Sequence, residues 1–519
     1  MTHSSHRKRG GPGNRLSRFL RSVGRNDNFL TKVSDALRML RVEQKPRRVM
    51  KLPLRTPKLL IIILSRNLPD EDADMFRYPM PPLPGLLLAG MTPPLVEVEV
   101  LHEIIRPIDY HADADYIALS FLDYCAPHAY EVATHFRGMG RIVVGGGKFV
   151  SAFPDEVQPH FDSILVGEAQ GVWPRMVEDM VMGQLKPRYV SEECASLAGI
   201  PPPRYELAER GFTVPMVTEA TRGCPHECLH CQLNIHPVPF RMRPIEDVLR
   251  DLRNTWRLPY FKRKFAILLD NNLGGDLEYA RRLLREIARL KFWGIAVQCS
   301  IDALRDEEFL DALVLARCRL VSVGMESLDE GSLSAVGKRQ NRPSEYASLF
   351  SALQRRGILV FAGMMFGLDQ DNASYYEALP RAIEEVGPAV IFSYIAAPPF
   401  GTPLYQQLLS QGRIRDHVLA HHEGRHFIHS HAVLHREEIL DACRRVTRTF
   451  YGRIAVLRRW WRLLRTIERK PSLSAYLGRV FFASLFFWHL TLHQRRQMRE
   501  GLQKRETGVS TVTEHISGV

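Results

Sequence analysis

The chain has 519 residues, and its hydrophobic content of 45% with 9% aromatic residues is ordinary for a large soluble protein of two or three domains. No segment reaches the roughly 20 consecutive apolar residues needed to span a bilayer, so no membrane-spanning segment is predicted. The formal net charge of +13 is concentrated at the ends, with +12 in residues 1–56 and +10 in residues 451–506.

The basic N-terminal arm, residues 1–56, has three interpretations. It could meet an anionic surface, remain a solvated and partly disordered arm, or serve as an organelle transit peptide. The eight cysteines are sparse for this length and only three of them are clustered. This argues against a disulfide framework and for a reducing compartment, which we take to be the cytoplasm.

Alternating apolar strands and amphipathic helices predict an α/β domain over residues 57–185. The predicted strands are Lys58–Leu64, Val96–Leu101, Tyr116–Phe121, Ile142–Val144 and Ser163–Val166. This order is typical of a doubly wound, Rossmann-like sheet, which binds ligands at the carboxyl ends of its strands. Gly145, Gly146 and Gly167 follow two of the strands at that edge, where glycines serve either a ligand or a tight turn.

A proline-rich stretch without periodicity, residues 186–213, is predicted to be a linker. Six strand-then-helix units then predict an open, partial (β/α)6 barrel of the TIM type over residues 214–405. Its predicted strands are Val214–Ala220, Phe265–Leu269, Ile295–Cys299, Leu320–Val323, Ile358–Phe366 and Val390–Ile395.

Residues 406–519 are predicted to form a helical C-terminal region. Two segments in it have more than one interpretation. The first has the apolar residues Leu457, Trp460, Trp461 and Leu464 at helical spacing, with arginines on another face. It fits either a helix packed on the barrel or a basic amphipathic helix on a membrane surface. The second, Val480–Leu492, is either a buried or an interfacial helix.

Charged residues, amides and a glycine follow the predicted barrel strands at their carboxyl ends, where the active sites of such barrels lie. Asp270 and Asn272 come after the second strand, and Gly367 follows the fifth. Glu326 follows the fourth strand. Polar residues at these positions could instead cap helices.

Cys224, Cys228 and Cys231 follow the first barrel strand and form a C-x3-C-x2-C triad on one short loop. Three such thiolates can hold three irons of a four-iron, four-sulfur cluster and leave the fourth iron open to a substrate or cofactor. Zinc is the alternative, because three histidines lie nearby. Structural zinc sites usually add a second, distant ligand pair, which this sequence lacks. We therefore favour an iron–sulfur cluster.

In this setting the triad resembles the signature of the radical S-adenosylmethionine (SAM) enzymes, and the likeness covers about residues 203–405. The resemblance implies that SAM binds the open iron through its amino and carboxylate groups. It further implies that the reduced cluster cleaves SAM to a 5′-deoxyadenosyl radical, which takes hydrogen from an unactivated C–H bond. The electron would come from an external donor such as flavodoxin or ferredoxin.

The resemblance also implies roles for individual residues. The three cysteines would be the metal ligands, and His230 occupies a position near the adenine that is usually aromatic. Glu326 lies in a sequence, Gly324-Met325-Glu326, that is similar to the Gly-x-Glu element of the fourth strand. Gly363–Gly367 is similar to the glycine-bearing fifth strand beside the adenosyl group. Asp270 and Asn272 are further candidates for cofactor contact, and the catalytic residues remain unassigned.

The α/β domain ahead of the barrel looks like the cobalamin-binding domain of one radical SAM subfamily. Gly145, Gly146 and Gly167 lie in the two segments that carry this likeness, which implies a corrin between the domains, facing the cluster. The cobalt-coordinating motif D-x-H-x-x-G has only a displaced partial match, at Asp109 and His111. We therefore predict no histidine ligand to cobalt, and a degenerate domain without corrin remains the alternative.

Three functions remain open. The first is a cobalamin-dependent radical methyltransferase acting on an unactivated carbon of a small-molecule or lipid-like substrate. The second is a radical SAM cyclase, oxidoreductase or rearrangement enzyme without methyl transfer. The third is a non-catalytic zinc or nucleic-acid-binding protein, although no RNA-binding module is recognisable and no nucleic-acid partner is expected. The basic ends and Val480–Leu492 suggest a lipid or isoprenoid-like substrate and peripheral contact with the inner membrane face.

Overall fold

The structure, a computed structural model, describes residues 55–65, 81–191, 195–208, 216–254, 264–468 and 473–506. Almost all of the predicted basic arm and parts of the predicted linker lie outside the described residues. Two six-stranded parallel sheets account for the α/β character.

The first sheet has the strand order β2-β1-β3-β4-β5-β6, and all its strands are parallel. The strands are β1 (Lys58–Ile63), β2 (Glu97–His102), β3 (Tyr116–Ser120), β4 (Ile142–Gly146), β5 (Ser163–Val166) and β6 (Arg188–Val190). The five predicted strands are confirmed. The sequence analysis missed β6 and included it in the linker, because three residues carry too little pattern to be recognised. The order reverses between β1 and β3, which creates a switch point of the kind where doubly wound sheets bind ligands.

Helices cover both faces of the first sheet. They are α1 (Leu83–Met91), α2 (Ala126–Gly138), α3 (Lys148–Ala152), α4 (Pro154–Val157) and α5 (Trp173–Val181). Alternate residues of β1 point to opposite faces: Leu59 and Ile61 join the core that contains α1 and α5, whereas Leu60 and Ile62 join the core that contains α2. Burial on both faces explains why this strand is apolar at nearly every position.

The second sheet has its six strands in chain order and all parallel, with β7 and β14 at its two edges, so it forms an open partial barrel as predicted. The strands are β7 (Val217–Thr218), β10 (Phe265–Leu268), β11 (Gly294–Gln298), β12 (Cys318–Glu326), β13 (Leu359–Phe366) and β14 (Val390–Ile395). Two short strands, β8 (Thr221–Arg222) and β9 (Arg241–Met242), form a separate antiparallel pair. The helices of this region are α6 (Ile245–Arg253), α7 (Leu277–Ala288), α8 (Glu307–Leu315), α9 (Glu330–Ala335), α10 (Pro343–Arg355) and α11 (Ala373–Val386).

Among its described residues, the C-terminal region is mostly helical, with an irregular stretch at residues 411–435. Its helices are α12 (Pro403–Ser410), α13 (Arg436–Phe450), α14 (Arg453–Thr466) and α15 (Leu473–Glu506). The irregular stretch contains seven histidines and two glycines and lacks an apolar period, which explains why no long helix forms there. None of the helices among the described residues combines the length and apolarity required to cross a bilayer.

One hydrophobic cluster joins the two sheets. It contains one face of β1, helices α1 and α5, and the face of the second sheet that packs against its covering helices. Tyr205 belongs to the same cluster, and its hydroxyl donates a hydrogen bond to the Val217 carbonyl oxygen at 2.5 Å. The connecting segment is therefore packed into the core where it approaches β7.

A buried ion pair connects the end of β7 to helix α6. The guanidinium of Arg243 donates to Asp251 Oδ2 at 2.8 Å and to the Glu219 carbonyl oxygen at 2.8 Å, and neither charged side chain of the pair is exposed. Thr218 Oγ1 also donates to the same Asp251 oxygen. The pair therefore fixes the chain on both sides of the β8–β9 hairpin.

Replacing Arg243 by Met should lower the free energy of unfolding by about 3–5 kcal/mol, because the Asp251 carboxylate would stay buried with its main partner removed. Thermal unfolding followed by circular dichroism would measure this as a lower melting temperature. Arg253→Met, at an exposed position on α6, is the matched control and should change stability little. Equal melting temperatures for the two variants would contradict the assigned role of the pair.

Candidate active site at the cysteine loop

The β8–β9 hairpin closes the base of the loop that carries the three clustered cysteines. Thr221 pairs with Met242 and Arg222 with Arg241. Gly223 begins the loop with a positive φ of 85°, and a Cβ at this position would lie 2.7 Å from the Pro239 carbonyl oxygen. Only glycine fits both constraints, so this residue determines how the chain enters the loop.

Asp270 anchors the chain just ahead of the loop. Its Oδ1 accepts hydrogen bonds from the backbone N–H groups of Ala220 and Thr221, and from Thr221 Oγ1 at 2.7 Å. Burial raises the pKa of Asp270 to about 6 despite these bonds. Asp270 Oδ2 is buried and has no hydrogen-bond partner within the described part of the chain. The structure therefore gives Asp270 a positioning role, and its predicted cofactor contact stays a prediction.

Amide side chains donate to two of the three cysteine sulfurs. Asn272 Nδ2 lies 3.8 Å from Cys224 Sγ, and Gln340 Nε2 lies 3.6 Å from Cys228 Sγ. Asn272 is itself buried and held by Ser300, whose backbone N–H donates to Asn272 Oδ1 at 2.9 Å. Such donors stabilise thiolate sulfur and are a usual feature around iron–sulfur clusters. Asn272 thus lies beside a predicted metal ligand, and its predicted contact with the cofactor stays a prediction.

The cysteine loop is enclosed by the protein. Cys228 is 8% exposed, and Cys224 and Cys231 are half-buried. Burial raises the pKa of the Cys224 and Cys231 thiols above the ordinary value, so metal binding at these sulfurs would have to displace protons.

Among the described residues, no three His, Cys, Asp or Glu side chains are grouped closely enough to hold a single metal ion. Zinc binds all its ligands at one ion, whereas the thiolates of a four-iron cluster bind different irons.

Glu326 is the centre of a buried polar network at the end of β12. Its backbone has a positive φ of 64°, at a shift of register against β13, which turns the chain at this point. Its carboxylate accepts a hydrogen bond from Tyr394 and pairs with Lys338 Nζ at 2.5 Å. A Cβ at Gly324 would collide with both charged groups, which explains the glycine two residues before the glutamate.

Within this network, Glu326 and Lys338 form a pair of opposite charges. Burial alone would raise the pKa of Glu326, but the nearby Lys338 ammonium outweighs it and keeps the pKa below the ordinary value. Burial would likewise lower the pKa of Lys338, and the Glu326 carboxylate raises it instead. Both groups are therefore ionised at neutral pH.

His230 is the residue of the cysteine loop that interacts electrostatically with this network. Burial lowers its pKa to about 4, with opposing effects of Glu326 and Lys338, so the ring is neutral at pH 7. Its Nδ1 atom is buried and accepts or donates no hydrogen bond within the described ranges. The structure thus brings His230 and Glu326 to one site, and their predicted contact with the cofactor stays a prediction.

Gly367 lies in a tight turn after β13. Its φ is +93°, a Cβ there would lie 2.7 Å from the Phe427 ring, and its N–H donates to Asp371 and Tyr376. These contacts explain why glycine is required at this position, and the explanation does not involve a ligand. Gly363, within β13, lies closer to the network, since a Cβ there would be 3.6 Å from Glu326 Oε2.

The carboxyl ends of the first sheet lie against the cysteine loop. Asp123, just after β3, accepts a hydrogen bond from Gln232 Nε2 at 2.9 Å and from the Phe400 N–H at 3.0 Å. Glu168, just after β5, pairs with Arg241 at 2.5 Å and with Arg222 at 3.2 Å. These contacts hold the edge of the first sheet to the hairpin that bears the loop.

The predicted glycines of the first sheet lie at this shared edge. Gly146 ends β4, and a Cβ there would meet open space, whereas Gly145 is packed on the Phe161 ring and Gly167 on Ser191. Gly147 has a φ of +128° and leads into Lys148. Burial lowers the pKa of Lys148, and a thiolate at Cys231 opposes this by raising it.

Because a Cβ at Gly146 would meet open space, a flat ligand can approach the backbone closely at this one position of the edge. Asp109 and His111 lie ahead of β3, at the amino-terminal side, away from this edge.

Sequence reasoning missed several residues that the fold brings to the site, namely Asp123, Lys148, Lys338, Gln340 and Tyr394. Asp123 follows a predicted strand of the first domain, so the rule applied to the barrel strands would have found it. No comparable signal marks Lys338 or Gln340, which lie in the irregular segment between α9 and α10.

Comparisons with known proteins agree with this geometry. Residues 218–383 match the family model described as the Radical SAM superfamily. Bacteriochlorophyllide d C-12(1)-methyltransferase of Chlorobaculum tepidum is 26% identical over 358 residues, which cover 66% of this chain and 76% of that protein. Hopanoid C-2 methylase of Rhodopseudomonas palustris is 26% identical over 348 residues, covering 64% of this chain and 65% of that protein.

A solved structure shares the fold. The radical S-adenosylmethionine methyltransferase TsrM from Kitasatospora setae, solved with cobalamin and a [4Fe-4S] cluster bound, superposes with a TM-score of 0.57. The two sequences are 16% identical, and the match covers 87% of this chain and all of that chain. Residues 218–383 are therefore similar to the Radical SAM superfamily, and the fold of the chain is similar to that of a solved radical SAM methyltransferase that holds cobalamin and a [4Fe-4S] cluster.

Proposed function

We propose that the enzyme transfers a methyl group to an unactivated carbon of a large, apolar, lipid-like substrate. It would use a [4Fe-4S] cluster on Cys224, Cys228 and Cys231, together with SAM and cobalamin, and an external protein would supply the electron. When bound, these groups supply one-electron cleavage of the SAM sulfonium and a transferable methyl group. The observation that carries the proposal is the enclosed loop of three thiols facing the glycine-lined edge of the first sheet.

The chain's own residues provide an environment suited to a cluster. Asn272 and Gln340 donate N–H groups to two sulfurs, which offsets part of the negative charge that the cluster brings into a half-buried site. Lys148 and Lys338 place positive charge near Cys231. All four groups favour the charged, thiolate-bound state over neutral thiols.

The Glu326–Lys338 pair offers a carboxylate and an ammonium to the amino and carboxylate groups of an amino acid. We propose that Glu326 accepts a hydrogen bond from the amino group of SAM and that Lys338 faces its carboxylate, so that the bound cofactor replaces the pair's internal contact. Both side chains are buried and ionised beside His230 at the cysteine loop. His230, being neutral, could contact the adenine without adding charge.

The proposed class of substrate is inferred from the names of similar proteins. Two of them are named for methylation of a bacteriochlorophyllide and of a hopanoid, both large and mostly apolar molecules. We propose an apolar substrate of comparable size, met at a membrane surface. The competing outcome is a radical reaction on the same scaffold without methyl transfer.

The methyl-transfer proposal predicts a product that differs from its precursor by one methyl group. Lipid extracts from cells with and without the protein, grown on methyl-deuterated methionine, should differ by a labelled methylated species detected by mass spectrometry. A protein carrying Cys228→Ala is the control and should give the extract of cells lacking the protein. A new product without deuterium would instead favour the radical rearrangement.

Cluster loading should depend on the loop cysteines alone. After anaerobic reconstitution, variants with Cys224, Cys228 or Cys231 replaced by Ala should lose most of the bound iron and the visible absorption of the cluster. Cys443→Ala, which removes a half-buried cysteine of α13, should retain about four irons per chain. Zinc in place of iron in the unchanged protein would reject the proposed cluster.

Removing the charges of the Glu326–Lys338 pair should weaken SAM binding. We expect Glu326→Gln with Lys338→Met to lower the affinity at least tenfold, because charged hydrogen bonds contribute roughly 1.5–3 kcal/mol. The double variant leaves no unpaired buried charge, so its fold should persist. Anaerobic isothermal titration with SAM measures the effect directly, without turnover. Glu330→Gln, at an exposed neighbouring position, is the control, and equal affinities would contradict the assignment.

A further inference from the structure

Helix α15 has a long apolar stripe that the described part of the protein leaves exposed. Leu477, Phe481, Leu485 and Leu492 are exposed by 55%, 62%, 49% and 55%. Their spacing places them on one side of the helix, together with half-buried Trp488, over a length of about 22 Å at 1.5 Å per residue. The opposite side of α15 is packed, since Ala483, Phe487 and Leu490 belong to the main hydrophobic core. The helix is therefore anchored on one side and open on the other.

The surface along the exposed stripe is almost entirely apolar and includes Val480, Phe481, Leu485 and Trp488. Contiguous exposed apolar surface of this kind marks a docking site in a soluble protein.

Helix α14 adds a second apolar stripe. Ile454, Leu457 and Trp461 recur at helical spacing and are exposed by 73%, 51% and 52%. The helix packs against α15 through Trp460, whose Nε1 donates to Ser484 Oγ at 3.2 Å and whose ring contacts Trp488. The two stripes thus belong to one pair of packed helices.

Basic residues predominate in this helix pair. Residues 453–466 contain five arginines and residues 473–499 contain four, with no aspartate or glutamate in either stretch, and the end of α15 adds Lys504 and Arg505 against Glu500 and Glu506. Arg459 is buried and pairs with Glu384 of α11, so it takes no part in the surface. Arg458 is exposed and, within the described residues, forms no ion pair, and the Arg465 guanidinium lies 5.0 Å from the Trp461 ring centroid. Arginines next to exposed tryptophan and aliphatic side chains are complementary to a lipid surface, in which anionic headgroups lie above apolar acyl chains.

We infer that the exposed face of α14 and α15 docks on the surface of an anionic lipid bilayer. The apolar stripes insert at the level of the acyl chains, and the arginines contact the acidic headgroups. Because α15 is not apolar enough to cross a bilayer, the contact is peripheral. Lys and Arg near a membrane contribute about 1 kcal/mol each in attraction to acidic lipids, so this excess of arginines favours a lipid partner over a second copy of the same basic face.

The inference goes beyond the chemistry of the cysteine loop, and its test does not require an active enzyme. The reconstituted full-length protein is mixed with vesicles of phosphatidylcholine alone or with one-third phosphatidylglycerol, and bound protein is separated by flotation. The protein should float with the acidic vesicles and much less with the neutral ones. Raising the salt concentration should weaken the binding.

Phe481→Asp combined with Leu485→Asp should reduce flotation with acidic vesicles at least tenfold, because it places two carboxylates on the inserting stripe. Both positions are exposed, so the fold should persist, as circular dichroism would verify. Leu315→Asp combined with Val433→Asp, two exposed apolar positions elsewhere, is the matched control and should float like the unchanged protein. Absence of flotation would overturn the inference. So would a dimer that the double substitution on α15 disrupts without any change in lipid binding.

Discussion

The hydrogen bonds that Asp270 accepts from Ala220 and Thr221 determine where the cysteine loop leaves the second sheet. Asp270 lies just after β10. Its hydrogen bonds therefore connect the loop, which follows β7, to the neighbouring strand β10. The buried Arg243–Asp251 pair holds the other side of the hairpin. With both sides fixed, the three thiols are presented in one orientation, which metal binding and cofactor contact require.

The same constraint explains why two separate parallel sheets make one site. Ligands bind at the carboxyl ends of parallel strands, and here the two carboxyl edges face each other across the cysteine loop. Glu168 and Asp123 join them through Arg241 and Gln232, so side chains from the first sheet reach the loop carried by the second. A cofactor between the edges would therefore contact both domains at once.

The strands and the loop were predictable from the sequence because their signals are local. Buried parallel strands are continuous apolar runs, and the spacing of the cysteines is a property of eight consecutive residues. The network around Glu326 was only partly predictable. Lys338 reaches Glu326 because α9 returns the chain beneath β12, and Gln232 meets Asp123 across 109 residues of sequence. Neither contact has a pattern along the chain.

The sequence by itself determined the fold class, most of the strands and the metal-binding chemistry, since each depends on residue type and short-range spacing. Only the tertiary structure decided that Asp270 supports the loop, that Lys338 pairs with Glu326 and that Phe481 remains exposed. These outcomes depend on which surfaces pack together. An apolar helical stripe has the same sequence pattern whether another element covers it or leaves it open, so burial is decided by the whole fold.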